Sequence, residues 1–326
     1  MHLLTLRQTT QGLGTFLKVL SLVVPAALAG CGGESKPVEM VTVDGSSTVF
    51  RISQKAQIDF NQVAPNIQVS VGNHGTGGGF DRYLRNEVDV IDASRDAKAE
   101  ETQKAKESGL DWTRFLVGYD GITVVVHPKN DFVKSLSVEQ LKKLYQPESE
   151  ITTWKDLDPS WPDKKIIVYS PDSASGTFEF FMEAIVGKGV KTQRKGVQVS
   201  PDDNQLVAGV AGDEGAIGYF GYGYFAVNKE RLRAVPVQNG PDAQPVMPTP
   251  ETIMSKEYAP LARPLYIFVK NSALKRSAVA QFVKHYLGNI EKFATSANFD
   301  APNETDRKAN EEALNKALES AGNPSA

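Results

Sequence analysis

Four times along the chain, a short apolar run stops at a cluster of Gly, Ser or Thr and a helical spacing of apolar positions follows. The first is "MVTVDGSSTVF", where the run Met40–Val43 meets a Gly/Ser/Thr turn. In the "RISQKAQIDFNQVAP" that follows, Ile52, Ala56 and Phe60 or Ile58 share one helical face before Pro65 ends the pattern. "NIQVSVG" then alternates as a strand and leads through the glycine turn of "NHGTGGGFDRYLRNEV" into a second helix. "VDVIDASRDAKAEE" repeats the unit, and "KIIVYS" runs into "SASGTFEFF", whose helix is expected to begin at Thr177 or Phe178. Strand, small-residue loop and helix in succession predict an open, mostly parallel α/β sheet. Ligands of such sheets bind beyond the carboxyl ends of the strands, where these loops lie.

Between and after these units the pattern predicts further elements. "GITVVVHP", Gly121–Pro128, is a strong apolar strand, and "SVEQLKKLY" a short amphipathic helix with Ser137 as its cap. A helix capped near Asp203 precedes a glycine- and tyrosine-rich strand in "GAIGYFGYGYF". "RPLYIFVK", Arg263–Lys270, is one more strand. "SALKRSAVAQFVKHYLGNIEKFATS" carries a long helical pattern through Val279, Phe282, Val283 and Leu287. The tail after Asn303 is charged and ends in a frayed-looking "AGNPSA". No repeat of fixed period and no long linker interrupts the chain.

Composition narrows the class. A length of 326 residues suggests two domains, and 40% hydrophobic with 23% charged residues is ordinary for a globular protein. The net charge of −3 argues against a nucleic-acid binder, but not against a locally positive anion pocket. The first thirty residues read differently. Arg7 and Lys18 flank an apolar stretch too short to span a membrane, and small residues then lead to Cys31, the only cysteine. "LAGC" matches the bacterial lipobox, so residues 1–30 are expected to be a signal peptide. Cys31 would then be lipidated, and residues 31–39 would form a flexible tether. Cleavage would leave a mature charge of about −5, as two basic and no acidic residues depart.

Candidate chemistry concentrates in the four loops Gly45–Thr48, Gly75–Gly79, Ala93–Arg95 and Ser175–Thr177. Glycine lets backbone N–H groups approach a ligand, hydroxyls donate and accept, and helix N-termini favour negative charge. Each loop alone reads as a helix cap; four at equivalent strand ends point to an oxyanion site. Arg95 is the only arginine within them and could bind a phosphate or carboxylate bidentately, or pair with Asp92 or Asp96. Competing motifs fail. "GTGGGF" breaks the dinucleotide fingerprint at its last glycine, and no Walker lysine follows it. His74, His127 and His285 lack metal-ligand spacing, and SASGT is no nucleophile elbow. No metal or cofactor is expected. His74, beside the glycine loop, is expected to face solvent, and the aromatic run "GYFGYGYF" to serve packing.

Taken together, "DGSSTVF", "GTGGGF", "DASR", "WPDKKIIVYSPDSASGTFEFF", "GVAGDEGAIGYFGYGYF" and "PLARPLYIFV" resemble the substrate-binding proteins of bacterial high-affinity phosphate ABC transporters, the PstS type. The resemblance covers residues 40–290 in order. It implies a two-lobed periplasmic-binding-protein fold of type II, with two hinge crossings and each lobe a mostly parallel sheet flanked by helices. Lobe one would comprise 40–118 plus 264–326, and lobe two 119–263. Function would be non-catalytic: capture of inorganic phosphate outside the cytoplasm by a lipid-anchored monomer and delivery to permease subunits. By motif, the ligand would be held by Ser46, Ser47, Thr48, Thr76, Gly77, Ser94, Arg95, Ser175, Gly176 and Thr177.

Two departures from the family pattern stand out. The arginine that family members carry shortly before S-G-T is absent from "SPDSA", and Arg95 stands where they have an aspartate. The arginine is read as having crossed the cleft to Arg95, and the acid that would accept the phosphate proton is left among Asp92, Asp96 and Asp172. Other oxyanions (sulfate, molybdate, a phosphonate) or a phosphatase on the same fold remain alternatives.

Overall fold

The computed structural model describes residues 38–173 and 175–323. The expected signal peptide, Cys31 and most of the tether lie outside these residues. The first half of the chain follows the predicted grammar. Strand β1 (Glu39–Gly45) feeds helix α1 (Ser47–Val63), β2 (Ile67–Val71) feeds α2 (Gly75–Leu84), and β3 (Val90–Ala93) precedes α3 (Ala99–Glu107). β1 pairs in parallel with both β2 and β3. The remaining strands are β4 (Trp112–Val126), β5 (Leu136–Ser137), β6 (Ile167–Pro171), β7 (Gln198–Ser200), β8 (Ala216–Gly221), β9 (Arg233–Ala234), β10 (Val237–Gln238) and β11 (Ala262–Lys270).

The long strands β4 and β11 run antiparallel and join two sheet regions in the order β2-β1-β3-β11-β4-β8-β6-β7. β3–β11 and β4–β8 are antiparallel, whereas β6 pairs in parallel with β7 and β8. Parallel pairing therefore persists within each region, and the antiparallel ladders surround the two connecting strands.

Alternating burial divides the apolar residues of the first region into two layers. Val90, Ile267 and Val269 join a cluster with α1 and the C-terminal helices, while Ile91, Tyr266 and Phe268 join one with Phe80 and Tyr83 of α2. Helices thus cover both faces, which is why these strands read as continuous apolar runs rather than as alternation. A second pair of clusters draws its buried residues from 119–261, around Tyr145, Trp154, Phe181 and Tyr219 on one side and Leu206, Val210 and Phe220 on the other. Phe181 stacks on Tyr219 with ring centroids 3.7 Å apart. The aromatic face of SASGTFEFF is accordingly core.

Several expectations are corrected. The strand predicted from Gly121 is the second half of β4, which begins nine residues earlier because Trp112–Gly121 pairs with β11. The run GYFGYGYF is strand only to Gly221, and Tyr222–Val227 turns into helix. The long pattern after Asn271 is three segments, a 3-10 turn Asn271–Lys275 and helices Ser277–Gly288 and Ile290–Ser296, since Asn289 leaves helical geometry. The charged tail is a helix, Glu304–Ser320, capped by the Asn303 side chain and buried along Asn310, Leu314, Ala317 and Leu318. Among the described residues, no helix is long and apolar enough to cross a membrane.

Candidate functional site

The loops converge because β1 and β3 are neighbouring parallel strands that end side by side. Gly45 closes β1 with φ +145°, and a Cβ there would meet the Asp92 carbonyl at 2.0 Å, so only glycine lets the backbones approach. The Ser46 amide then donates to that carbonyl at 2.8 Å. Ser46 is buried and caps α1, its hydroxyl accepting from the Thr48 and Val49 amides at 3.2 and 3.4 Å. In the neighbouring loops Thr76 Oγ1 accepts from the Ser94 amide at 3.2 Å and lies 3.3 Å from Ser94 Oγ.

Beneath these loops Asp44 is almost fully buried. Its carboxylate accepts from the Gly45 amide at 2.7 Å and the His74 amide at 3.1 Å, and also meets the Arg82 guanidinium. His74 Nδ1 lies 2.8 Å from it. Burial alone would raise this carboxyl, but the bonds from His74 and Gly45 outweigh it and hold it below the ordinary value. His74 is thus tethered at the helix entrance, although its ring remains 65% exposed. It sits at the N-cap of α2 without making a side-chain cap bond, so the first amides of α2 receive nothing from it.

A cavity of about 610 Å³ opens above these loops. Of the residues singled out from the sequence, Ser46, Ser47, Thr76, Gly77, Ser94 and Arg95 line it. Thr48, Ser175, Gly176 and Thr177 do not. A Cβ on Gly176 would fall 2.8 Å from Thr48 Oγ1 and 3.3 Å from Ser47 Oγ, so the SGT loop abuts the first loop directly. Ser175 caps its own helix through the Thr177 amide at 3.2 Å.

The charged lining differs from the sequence expectation. Arg95 does line the cavity, but its carboxylate partner is neither Asp92 nor Asp96, although Nη1 also donates to the Asp96 carbonyl at 3.0 Å. Its guanidinium donates two parallel bonds of 2.8 Å to Glu101 on α3, and its head lies over the Phe80 ring. Burial would raise the Glu101 carboxyl, but those bonds and the Lys98 amide keep it lowered.

A second arginine, Arg263 at the start of β11, also lines the cavity. It stands opposite Asp120 in the β11–β4 register and donates to Asp120 Oδ2 from Nε and Nη2 at 3.1 and 3.0 Å. Nη2 also donates to Thr48 Oγ1 at 2.8 Å, and the guanidinium stacks 3.8 Å above the Phe180 ring. Burial lowers its pKa, while Asp120, Glu179 and Glu183 oppose the shift. Sequence reasoning did not mark Arg263. The available signal was a lone cation opening an apolar strand, with Asp120 just before GITVVV.

None of the three candidate acids lines the cavity. Asp92 is completely buried, where Ser53 donates to it at 2.7 Å, and burial pushes its carboxyl up to about 8. Asp96 is exposed and meets Arg114. Asp172 accepts the Ser175 amide through its carbonyl at 3.1 Å. The carboxylates that do line the cavity are Glu179 and Glu183, both solvent-exposed, with Lys188 nearby. Among the described residues no group of three or more His, Cys, Asp or Glu is arranged to hold a metal.

The family model of the PBP superfamily domain matches residues 30–289. The chain belongs to that superfamily and, within it, to the PstS-type family. Protein SphX of Synechococcus elongatus is 40% identical over 262 residues, covering 80% of this chain and 77% of the relative. The phosphate-binding protein PstS of Staphylococcus haemolyticus is 40% identical over 260 residues, 79% of each chain. The crystal structure of a possible phosphate binding protein from Planctomyces limnophilus superposes with a TM-score of 0.83 at 39% identity, covering 86% of this chain and 98% of that one. The fold is the two-lobed α/β architecture of these binding proteins.

Proposed function

We propose that the chain is an extracytoplasmic receptor that closes two lobes around inorganic phosphate and delivers it to an ABC permease, without catalysing a reaction. The observation that carries this reading is the composition of the single cavity wall formed by loops distant in sequence. Backbone N–H groups at the α2 entrance, the hydroxyls of Thr76 and Ser94, and the Arg95 and Arg263 guanidiniums belong to residues that line one space. Such donors hold a tetrahedral oxyanion without a metal counter-ion. The names of the PstS relative and of the Planctomyces limnophilus structure specify phosphate, and favour that anion over sulfate, molybdate or a phosphonate.

Lobe one is assigned to 40–118 plus 264–326 and lobe two to 119–263. The division of the apolar clusters near residues 118 and 263 supports these limits. β4 and β11 would carry the hinge crossings, since β4 pairs with β11 along its first part and with β8 along its last. Phosphate would be bound by the residues of the four loops, Ser46 to Thr48, Thr76, Gly77, Ser94, Arg95 and Ser175 to Thr177, joined by Arg263. Closure would desolvate the anion, and the permease would favour the open form. The lipobox supports anchoring through Cys31, and the receptor is taken as a monomer.

Isothermal titration of the phosphate-stripped mature protein tests the reading. Saturable phosphate binding without a sulfate response is expected. Failure to bind either anion after complete stripping would return the four loops to ordinary helix caps.

A further inference from the structure

The groups that line the cavity act at short range. Arg95 is paired with Glu101 and Arg263 with Asp120, each through two hydrogen bonds, and Glu179 and Glu183 add two carboxylates to the wall. The dipole of a helix entrance fades within about one turn. The chain as a whole carries a formal charge of −3, so a distant anion meets a repulsive field. Holding an anion and drawing it in are therefore separate tasks for this molecule.

Residues 187–196, "GKGVKTQRKG", carry the charge that the wall lacks. Between Glu183 and Asp202 the chain holds Lys188, Lys191, Arg194 and Lys195 and no acid. The segment lies between the helical turn Met182–Val186 and β7. Gly187 and Gly189 have φ of 137° and 81°, and a Cβ on either would meet nothing within 4 Å. Glycine there turns the chain and does not make room, so Lys188 is presented on an open turn. Lys188, Lys191 and Lys195 are exposed, and among the described residues none of them forms an ion pair. Arg194 serves otherwise. Its guanidinium donates to the Leu144 carbonyl and to Ser149 Oγ, both at 3.4 Å, and anchors the loop beside Glu148 and Glu150.

Lys188 lines the same cavity as the oxyanion donors. Lys191 follows it by three residues, at most about 11 Å of chain. That matches the distance of about 10 Å over which exposed charges still act in ~0.1 M salt. We propose that the basic loop 187–196 is an electrostatic collector, which draws oxyanions to the cavity mouth through Lys188, Lys191 and Lys195 and sets the rate of capture. The proposal rests on the phosphate reading above and deepens it: the four loops hold the anion, and the lysines bring it there.

The test separates arrival from holding. Stripped protein is mixed with radiolabelled phosphate, and association is followed by rapid filtration at ~0.02 M and ~0.5 M ionic strength, where screening is weak and nearly complete. Release is timed separately by dilution into unlabelled phosphate. Wild-type association should slow as salt rises, the opposite of the slope that a repelling surface gives. Lys188→Gln/Lys191→Gln/Lys195→Gln should associate about 5- to 10-fold more slowly at the lower ionic strength and converge with wild type at the higher. Its release rate should be unchanged. Lys106→Gln/Lys275→Gln/Lys316→Gln removes the same charge from exposed positions that do not line the cavity, and should slow association by about twofold at most.

Wild-type association that is flat or rises with salt would overturn the proposal, whether or not the variants fold. So would a loop variant as fast as wild type, or a control variant slowed equally. An effect confined to release would make Lys188 a contact of the bound anion and sink the collector. Wild type sedimenting with anionic phospholipid vesicles, together with a loop variant that no longer does so but captures phosphate at the normal rate, would give the lysines to a membrane surface. Wild type that binds no phosphate at all would bring down the receptor reading as well.

Discussion

Arg263 has three neighbours that need it: Asp120 as a counter-charge, Thr48 as a donor and Phe180 as a stacked cation. Its side chain is 14% exposed and that of Asp120 3%, so the ion pair is shielded on most sides. Arg263→Ala is expected to lower unfolding stability by about 3 kcal/mol in urea denaturation, because the buried carboxylate would be left alone. It should also weaken anion binding, whereas a surface arginine would do neither. Gly176→Ala probes the opposite property, since its Cβ would press on Thr48 Oγ1 in the abutting loop. Anion affinity should fall by about tenfold while the melting temperature stays within a few degrees, as the clash would arise where two loops meet and not inside a core.

Loop residues of the site were legible in sequence because they are consecutive. Ser46 caps α1 and Gly75 opens α2, whereas Ser94 lies in a bend and α3 begins only at Ala99. Arg263 and Asp120 were not legible, because 143 positions separate them and only the β11–β4 register brings them together.

Elements show where local pattern stops short. The C-terminal helix Glu304–Ser320 read as a charged tail because its apolar face is narrow, and yet it packs against β4 by a specific device. Asn310 donates to the Leu116 carbonyl at 2.7 Å and accepts from the Leu116 amide at 3.1 Å, as a neighbouring strand would. This occurs where the β11–β4 register shifts between Leu265 and Tyr266. Asp300 pairs with the Tyr119 backbone, and the Tyr119 hydroxyl donates to Asp306 at 2.9 Å, extending the brace along the same strand. Asn310→Ala should therefore cost about 1–3 kcal/mol, read from the urea midpoint, as two half-buried backbone groups lose their partner. Asn310→Asp should recover little, since a carboxylate cannot donate to the Leu116 carbonyl.

At the scale of the whole molecule, burial of Asp92 between α1 and the C-terminal helices links stability to pH. Its folded pKa is raised to about 8, against roughly 3.9 for an unfolded aspartate. Between those values the folded state holds a proton that the unfolded state has released, so stability falls as pH rises. Asp203 and Asp300, raised by burial to about 6, contribute in the lower part of that window. Between pH 6.5 and 8 the loss should be due chiefly to Asp92, at no more than about 1.4 kcal/mol per pH unit. Urea denaturation of Asp92→Asn over that range should give a flatter profile than wild type. A parallel decline in both proteins would assign the effect to other groups.

The sequence by itself determined the strand–loop–helix units, the small hydroxyl loops and the family, because propensity, capping and glycine placement act over a few residues. It also marked the apolar strands, since a sheet covered on both faces demands continuous apolar runs. Only the tertiary structure decided how the arginines at the cavity are paired: Arg95 with Glu101 and Arg263 with Asp120. Those pairings depend on strand register and on the approach of two sheet regions joined by β4 and β11. Register is fixed by packing summed over the whole chain, which no local window of residues contains.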